Sequence, residues 1–269
     1  MNRITQCLQD LKADGRKALV SYVVSGDPSL GATLPVMHEL VEQGVNIIEL
    51  GVAFSDPMAD GPVIQLGHER ALANGVSLRA TLAVVKEFRQ TNQYTPIVLM
   101  GYANPVLRMG YSEFADAALD AGIDGLLTVD LPPEESIELN LELKRVGIED
   151  IYLIAPTTKP ERIKKIASLA GGFLYYVSLK GVTGAGHLDI DSVAAKVSEI
   201  RELTDLPLCV GFGIKDAATA KSVGQLADGV VVGSALVSVM GDCAGASGKD
   251  VAKALVDVVK PLRLGLDEL

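Results

Sequence analysis

Three acidic residues follow one another closely at the end of an early apolar segment. Glu49 interrupts the run from Ile47 to Gly51, and Asp56 and Asp60 come within the next eleven residues. A carboxylate in a strand that is buried on both faces is desolvated, and desolvation raises its pKa toward the range useful for proton transfer. We therefore favour Glu49 as a general acid or base over a structural glutamate paired with a neighbouring cation.

The two aspartates lie in a loop that could face the same cavity as Glu49. Asp60 precedes Gly61, Pro62 and a helical pattern, so its position alone leaves an N-terminal cap and a catalytic role equally open. Asp56 precedes Pro57 and is more typical of a turn. Asp60 is therefore the second candidate catalytic carboxylate.

Two glycine-containing segments late in the chain have the pattern of a phosphate-binding site. Residues 211–214 (GFGI) and 233–235 (GSA) each end an apolar run, the second just ahead of a helix. Glycine lets the backbone approach an oxyanion, and main-chain N–H groups at a helix N-terminus bind phosphate without a lysine. The candidate donors are Gly213, Gly233 and Ser234. Gly184 is placed to reach the same phosphate, and its glycine-rich stretch, residues 180–187, indicates a mobile lid or a plain flexible loop.

Eight short apolar runs, separated by helical patterns, must position these residues. The runs are Ala18 to Ser25, Val45 to Gly51, Thr95 to Tyr102, Gly125 to Asp130, Ile151 to Pro156, Phe173 to Ser178, Pro207 to Gly213 and Gly229 to Gly233. Each interval is long enough for the crossover that parallel strands require. The pattern predicts the α/β class, with residues 1–269 forming a single (β/α)8 TIM-barrel domain, and a doubly wound open sheet is the alternative.

Other features locate the ends of this fold. An extra N-terminal helix with Ile4, Leu8 and Leu11 on one face is expected to plug the bottom of the barrel. Ser77 and Asp216 have the character of helix N-caps. Because active sites of such barrels lie where strands end, the candidates above fall in the right places.

Strand residues near those ends would form an apolar pocket large enough for an aromatic ring, or would simply fill the core. They are Tyr22, Met100, Tyr102, Leu127, Val129, Leu153, Tyr175 and Phe212. A retained pocket would distinguish an enzyme for an aromatic substrate from other barrels.

Composition excludes several classes of function. The net charge of −10 argues against nucleic acid or an anionic membrane as partner. Three cysteines without CxxC spacing, and His38 and His68 without a paired-histidine motif, signal no metal site. No strand core contains a lysine, which disfavours Schiff-base chemistry. Without a signal peptide or an apolar membrane span, we expect a soluble, cytoplasmic protein.

Six segments, in order, resemble the signature segments of the tryptophan synthase alpha subunit family. They are ELGVAFSDPMADGPVIQ, MGYANPV, DLPPEE, GVTGA, GFGI and VGSALV, within a match from about residue 18 to residue 240. The resemblance implies a barrel without a cofactor that cleaves indole-3-glycerol phosphate to indole and glyceraldehyde 3-phosphate. It also implies a beta subunit as partner, in an alpha2beta2 tetramer.

The resemblance assigns roles to the same residues. It places the two acids at Glu49 and Asp60, Tyr175 beside the substrate, and the phosphate donors at Gly184, Gly213, Gly233 and Ser234. In the implied retro-aldol reaction, the indole ring is protonated at C3, Asp60 stabilises the charge at the ring nitrogen, and Glu49 removes the proton of the side-chain hydroxyl. The expected substrate-binding set is Tyr22, Met100, Tyr102, Leu127, Tyr175, Thr183 and Phe212.

The chain departs from the family pattern at a few positions. Ala53 stands where proline is usual in the loop that contacts the beta subunit, and Tyr22 stands where phenylalanine is frequent. Leu179-Lys180 replaces a more common polar pair before the lid. Two other functions stay open: another phosphosugar barrel enzyme, and a barrel that has lost turnover and only activates a partner. An indole-sized pocket argues against the first, and intact Glu49 and Asp60 argue against the second.

Overall fold

Eight parallel strands form a closed barrel in the computed structural model, which describes residues 1–178, 189–211 and 213–269. Each strand pairs with the next along the chain, and the eighth pairs with the first. The strands are β1 (Ala18–Val24), β2 (Ile47–Gly51), β3 (Ile97–Gly101), β4 (Gly125–Thr128), β5 (Glu149–Ile154), β6 (Leu174–Val177), β7 (Leu208–Gly211) and β8 (Gly229–Val232). The predicted TIM barrel is confirmed, and the open sheet is wrong.

Helices surround the barrel and connect its strands. Within the described ranges they are α1 (Arg3–Ala13), α2 (Thr33–Glu42), α3 (Pro62–Ala73), α4 (Leu78–Phe88), α5 (Ala103–Met109), α6 (Tyr111–Ala121), α7 (Ile137–Val146), α8 (Pro160–Leu169), α9 (Ile190–Arg201), α10 (Ala217–Gly224), α11 (Ser234–Asp242) and α12 (Gly248–Asp267). The two predicted caps are confirmed, since Ser77 accepts a hydrogen bond from the Ala80 N–H and Asp216 from the Thr219 N–H. None of these described helices combines the length and the apolar character needed to cross a bilayer.

Alternating side chains divide each strand between the barrel interior and the helical layer. On β2, Ile48 and Leu50 pack in the cluster that includes the helices, whereas Ile47 packs with the interior residues. Glu49 alternates with Ile48 and Leu50 and therefore points into the barrel. In the register it lies opposite Tyr22 of β1 and Val98 of β3.

The N-terminal helix α1 closes the bottom of the barrel, as its apolar face predicts. Ile4, Leu8 and Leu11 are buried in one cluster with interior residues of the strands, among them Val98 and Ile151. The extra N-terminal helix is therefore confirmed, and it seals the end opposite to the candidate residues.

Candidate functional site

One cavity of about 380 Å³ opens at the C-terminal ends of the strands. The residues that line it come from five strand ends and from the loops and helices after them. They are Tyr22, Glu49, Asp60, Val63, Ile64, Met100, Tyr175, Gly213, Ile214, Lys215, Val231, Gly233, Ser234, Ala235 and Ser238. Both candidate acids thus share one cavity with the glycine segments predicted to bind phosphate.

Glu49 is the most unusual group in this cavity. Its side chain is fully buried, and neither carboxyl oxygen has a hydrogen-bond partner among the described residues. Burial alone raises the pKa of Glu49 to about 8. The sequence prediction that this carboxyl is desolvated is confirmed, and no cation in the described part of the chain pairs with it. A carboxyl group with this pKa exchanges a proton readily near neutral pH.

Asp60 is held at the mouth of the cavity by two aromatic side chains. Tyr102 donates its hydroxyl proton to Asp60 Oδ2 at 2.9 Å and accepts a hydrogen bond from the Ala59 N–H at 3.0 Å. The Nε2 atom of His68 lies 3.4 Å from the same oxygen, Asp60 Oδ2. The helix cap that the sequence left open is not formed by Asp60, because α3 begins at Pro62 with Gly61 as its N-cap. Asp56 is exposed and pairs with Ser55, which agrees with a turn.

Two tyrosines project into the barrel interior, and glycines two residues further along the neighbouring strands make the space. A side chain at Gly51 would collide with the Tyr22 hydroxyl, and one at Gly211 with the Tyr175 hydroxyl. Burial, followed by the nearby carboxylates, raises the pKa of both phenols well above the ordinary value. Both hydroxyls therefore stay protonated at physiological pH and are available as hydrogen-bond donors.

The opposite wall of the cavity is built from the ends of β7 and β8. Gly213 has a φ of +78°, a left-handed conformation that favours glycine. Gly233 caps α11, and Ser234 and Ala235 begin its first turn, where N–H groups lack partners within the helix. These N–H groups and the positive end of the helix dipole suit an anion.

The structure brings most of the predicted pocket together, but not all of it. Met100, Tyr22 and Tyr175 line the cavity, and Tyr102 contributes through Asp60. Leu127 is fully buried in the interior cluster and does not line the cavity. Val129 and Leu153 line a different cavity, beside Arg162. Thr183, Gly184 and Phe212 lie outside the described residues.

Sequence reasoning missed three contributions to this site. His68 was dismissed because it lacks a metal-binding partner, yet it is buried against Asp60. Val63 and Ile64 begin α3 and cover the cavity from the side of Asp60. Lys215 places a cation on the wall formed by Gly213 and Gly233. For Val63, Ile64 and Lys215 the available signal was their position directly after a candidate loop, whereas for His68 no such signal existed.

Comparison with known proteins decides the family. The model of the family "Tryptophan synthase alpha chain" matches residues 8–263. The chain belongs to the tryptophan synthase alpha chain family. The alpha chain of Marinobacter nauticus is 54% identical over 270 residues, covering 100% of this chain and 99% of the relative. That of Thioalkalivibrio sulfidiphilus is 59% identical over 238 residues, covering 88% and 90%.

Solved structures of tryptophan synthase alpha chains share the whole fold. The alpha subunit of Legionella pneumophila superposes with a TM-score of 0.92 at 41% identity, covering 100% of both chains. A chain of the tryptophan synthase of M. tuberculosis superposes with a TM-score of 0.87 at 33% identity, covering 99% and 100%. The chain is thus a carbon–carbon lyase of tryptophan biosynthesis, which carries out the alpha reaction on indole-3-glycerol phosphate.

Proposed function

We propose that Glu49 and Asp60 carry out this cleavage in the cavity above the barrel. The observation that supports Glu49 most strongly is its buried, unpartnered carboxyl group with a pKa of about 8. In the retro-aldol step the indole ring gains a proton at C3, and Glu49 takes the proton of the neighbouring hydroxyl. The C–C bond then breaks and its electrons enter the protonated ring, so one proton is gained and one is lost, and no metal or lysine is needed.

Asp60 has a different role in the proposal. Its carboxylate stabilises the positive charge that develops at the indole nitrogen, and this charge is present mainly in the transition state. The hydrogen bond from Tyr102 supports the role because it fixes the carboxylate before the substrate arrives. Tyr22, Met100 and Tyr175 supply the apolar and phenolic walls for the indole ring.

The phosphate group is proposed to bind at the N-terminus of α11 and the end of β7. Gly213, Gly233 and Ser234 supply main-chain N–H groups, and Gly184 remains a proposed fourth donor. Lys215 adds a cation at this wall. Local donors of this kind let a protein with a net charge of −10 hold an anionic substrate.

The proposed assembly is an alpha2beta2 tetramer with a tryptophan synthase beta subunit, in the cytoplasm, with residues 1–269 as one domain. The proposed docking rim consists of residues 53–58 and 104–108, which flank the cavity. Met58 and Leu107 are large apolar side chains exposed there, at 78% and 60%. Ala53 is buried beside Ile64, so it packs beneath the rim and supports the exposed residues there.

The test of the proposed chemistry is the variant Glu49→Gln, which keeps the shape of the side chain and cannot ionise. Its kcat for indole formation is expected to fall by roughly 10²- to 10⁴-fold, the usual contribution of general acid–base catalysis. Glu149→Gln is the matched control. Glu149 is also a half-buried carboxyl with a raised pKa, but it begins β5 at the other end of the barrel and pairs with Thr5. Comparable turnover by the two variants would remove Glu49 from the mechanism.

A further inference from the structure

His68 is a buried histidine beside the reaction site that the proposed chemistry does not use. It lies in the middle of α3 and is 1% exposed. The helix itself is anchored, since Arg70 donates to both oxygens of buried Asp27 at 2.6 and 2.9 Å. The imidazole ring is therefore carried on a fixed element.

The hydrogen bonds of His68 define its tautomer. The backbone N–H of Phe54 donates to Nδ1 at 3.0 Å, so Nδ1 carries no proton. In the neutral ring the proton then lies on Nε2. Nε2 makes a hydrogen bond with the hydroxyl oxygen of Tyr22 at 3.4 Å, and it also lies 3.4 Å from Asp60 Oδ2. The ring thus has one end on the loop backbone and its N–H within reach of the Asp60 carboxylate.

Asp60 is consequently approached from two sides at a single oxygen. Tyr102, directly after β3, donates to Oδ2, and Nε2 of His68 lies 3.4 Å from Oδ2 on the side of α3. Oδ1 has no hydrogen bond from the described residues, which leaves it available to a ligand in the cavity. A carboxylate that accepts a hydrogen bond from Tyr102 and is packed against the His68 ring at the same oxygen has little freedom to rotate.

We propose that His68 is a positioning residue for Asp60, which ties the acid-bearing loop to α3 through Phe54 and directs its own Nε2–H at Asp60 Oδ2. The inference rests on the proposed role of Asp60. It assigns His68 no contact with the reacting atoms, so its effect on the reaction passes through the orientation of that carboxylate. Misplacing a catalytic group by about 1 Å costs up to about 10²-fold in rate, which makes such a role measurable.

Three variants separate the contacts of the two ring nitrogens. His68→Leu removes the contacts of both nitrogens. His68→Asn keeps an acceptor near the position of Nδ1 for the Phe54 N–H, whereas His68→Gln keeps a donor near the position of Nε2 for Asp60. For each variant we would measure kcat and KM for indole formation, the affinity for an unreactive indole phosphate analogue, and the thermal midpoint.

The expected result is a separation of kcat from binding. His68→Leu should lower kcat by roughly 30-fold with KM and analogue affinity within about threefold of the unchanged protein, and His68→Gln should recover most of the loss. His68→Asn should stay near His68→Leu. If His68→Leu folds poorly, the kcat values of His68→Asn and His68→Gln still test whether the contact at Nε2 matters.

Two results would overturn the inference: equal kcat for the Asn and Gln variants, or a His68→Leu protein with unchanged kcat or with losses confined to KM. The variant Asp60→Asn tells this failure from a failure of the proposed function. If Asp60→Asn is inactive and His68→Leu is normal, only the proposed role of His68 is refuted. If Asp60→Asn is active, the proposed role of Asp60 itself is refuted.

Discussion

Glu49 and Asp60 differ in how far their environments follow from the sequence. The burial of Glu49 follows from its apolar neighbours on β2, because a parallel strand inside a helical layer is covered on both faces. The partners of Asp60 do not follow from the sequence. Tyr102 is 42 residues away, and the apolar pattern of α3 does not show which of its faces turns toward Asp60. Asp60 could therefore be named as a candidate from the sequence, but the contacts that orient its side chain could be found only from the fold.

The raised pKa of Glu49 predicts a pH-dependent difference in stability between the wild-type protein and Glu49→Gln. The folded protein keeps the Glu49 proton up to about pH 8, whereas a glutamate in the unfolded chain loses it near 4.5. The stability contributed by this proton is thus fully present below 4.5 and is lost as pH rises through 8. Glutamine does not titrate, so the free energy of unfolding of Glu49→Gln should rise relative to wild type across this window. The limiting slope is about 1.4 kcal/mol per pH unit.

Urea denaturation of both proteins at pH 5, 7 and 9 measures this difference. Glu149→Gln again serves as the control for replacing a half-buried carboxyl elsewhere. A difference between wild type and Glu49→Gln that stays constant over these pH values would mean that Glu49 titrates as an ordinary carboxyl group.

At the scale of elements, the order and type of the strands could be predicted, but their ends could not. The apolar run at Val45 starts two residues before β2 does, and β5 begins at Glu149, ahead of the predicted Ile151. Hydrophobicity reports burial, and loop residues that cover the barrel ends are buried as well. The glycine at the end of β7 and the helix start after β8, which form one wall of the cavity, could be predicted because they depend on local geometry alone. That this wall binds phosphate stays a prediction.

That wall leads to a prediction for Gly213→Asp. The change adds a negative charge and a strained left-handed aspartate beside the proposed anion site, so KM should rise by at least tenfold. Gly245→Asp is the matched control, since Gly245 also has a positive φ of 86° and open space around it. It follows the C-terminal end of α11, about 13 Å of helix away from Ser234.

Steady-state kinetics and thermal melts of the two glycine variants separate binding from strain. Equal rises in KM, or equal losses in thermal midpoint with no change in KM, would place the phosphate elsewhere.

For the whole molecule, the acidic surface and the exposed apolar rim predict how a partner would act. If a beta subunit docks on residues 53–58 and 104–108, it presses on the loop that carries Asp60, so docking and substrate binding are coupled. An indole phosphate analogue should then tighten beta-subunit binding. Arg108→Glu, in the last turn of α5, should weaken it by about tenfold. Lys253→Glu, exposed on α12 away from the rim, should leave it within about twofold.

The measurement is a titration of purified beta subunit against wild type and the two charge variants, each with and without the analogue. Identical dissociation constants in all six titrations would contradict both the docking rim and the coupling.

Because α1 closes the bottom of the barrel, the cavity is closed at the N-terminal ends of the strands. Ile4, Leu8 and Leu11 fill the base of the barrel, so nothing can pass through its length. In the proposed reaction site, indole and glyceraldehyde 3-phosphate would therefore both be released at the C-terminal ends of the strands, which is the side that the proposed docking rim flanks.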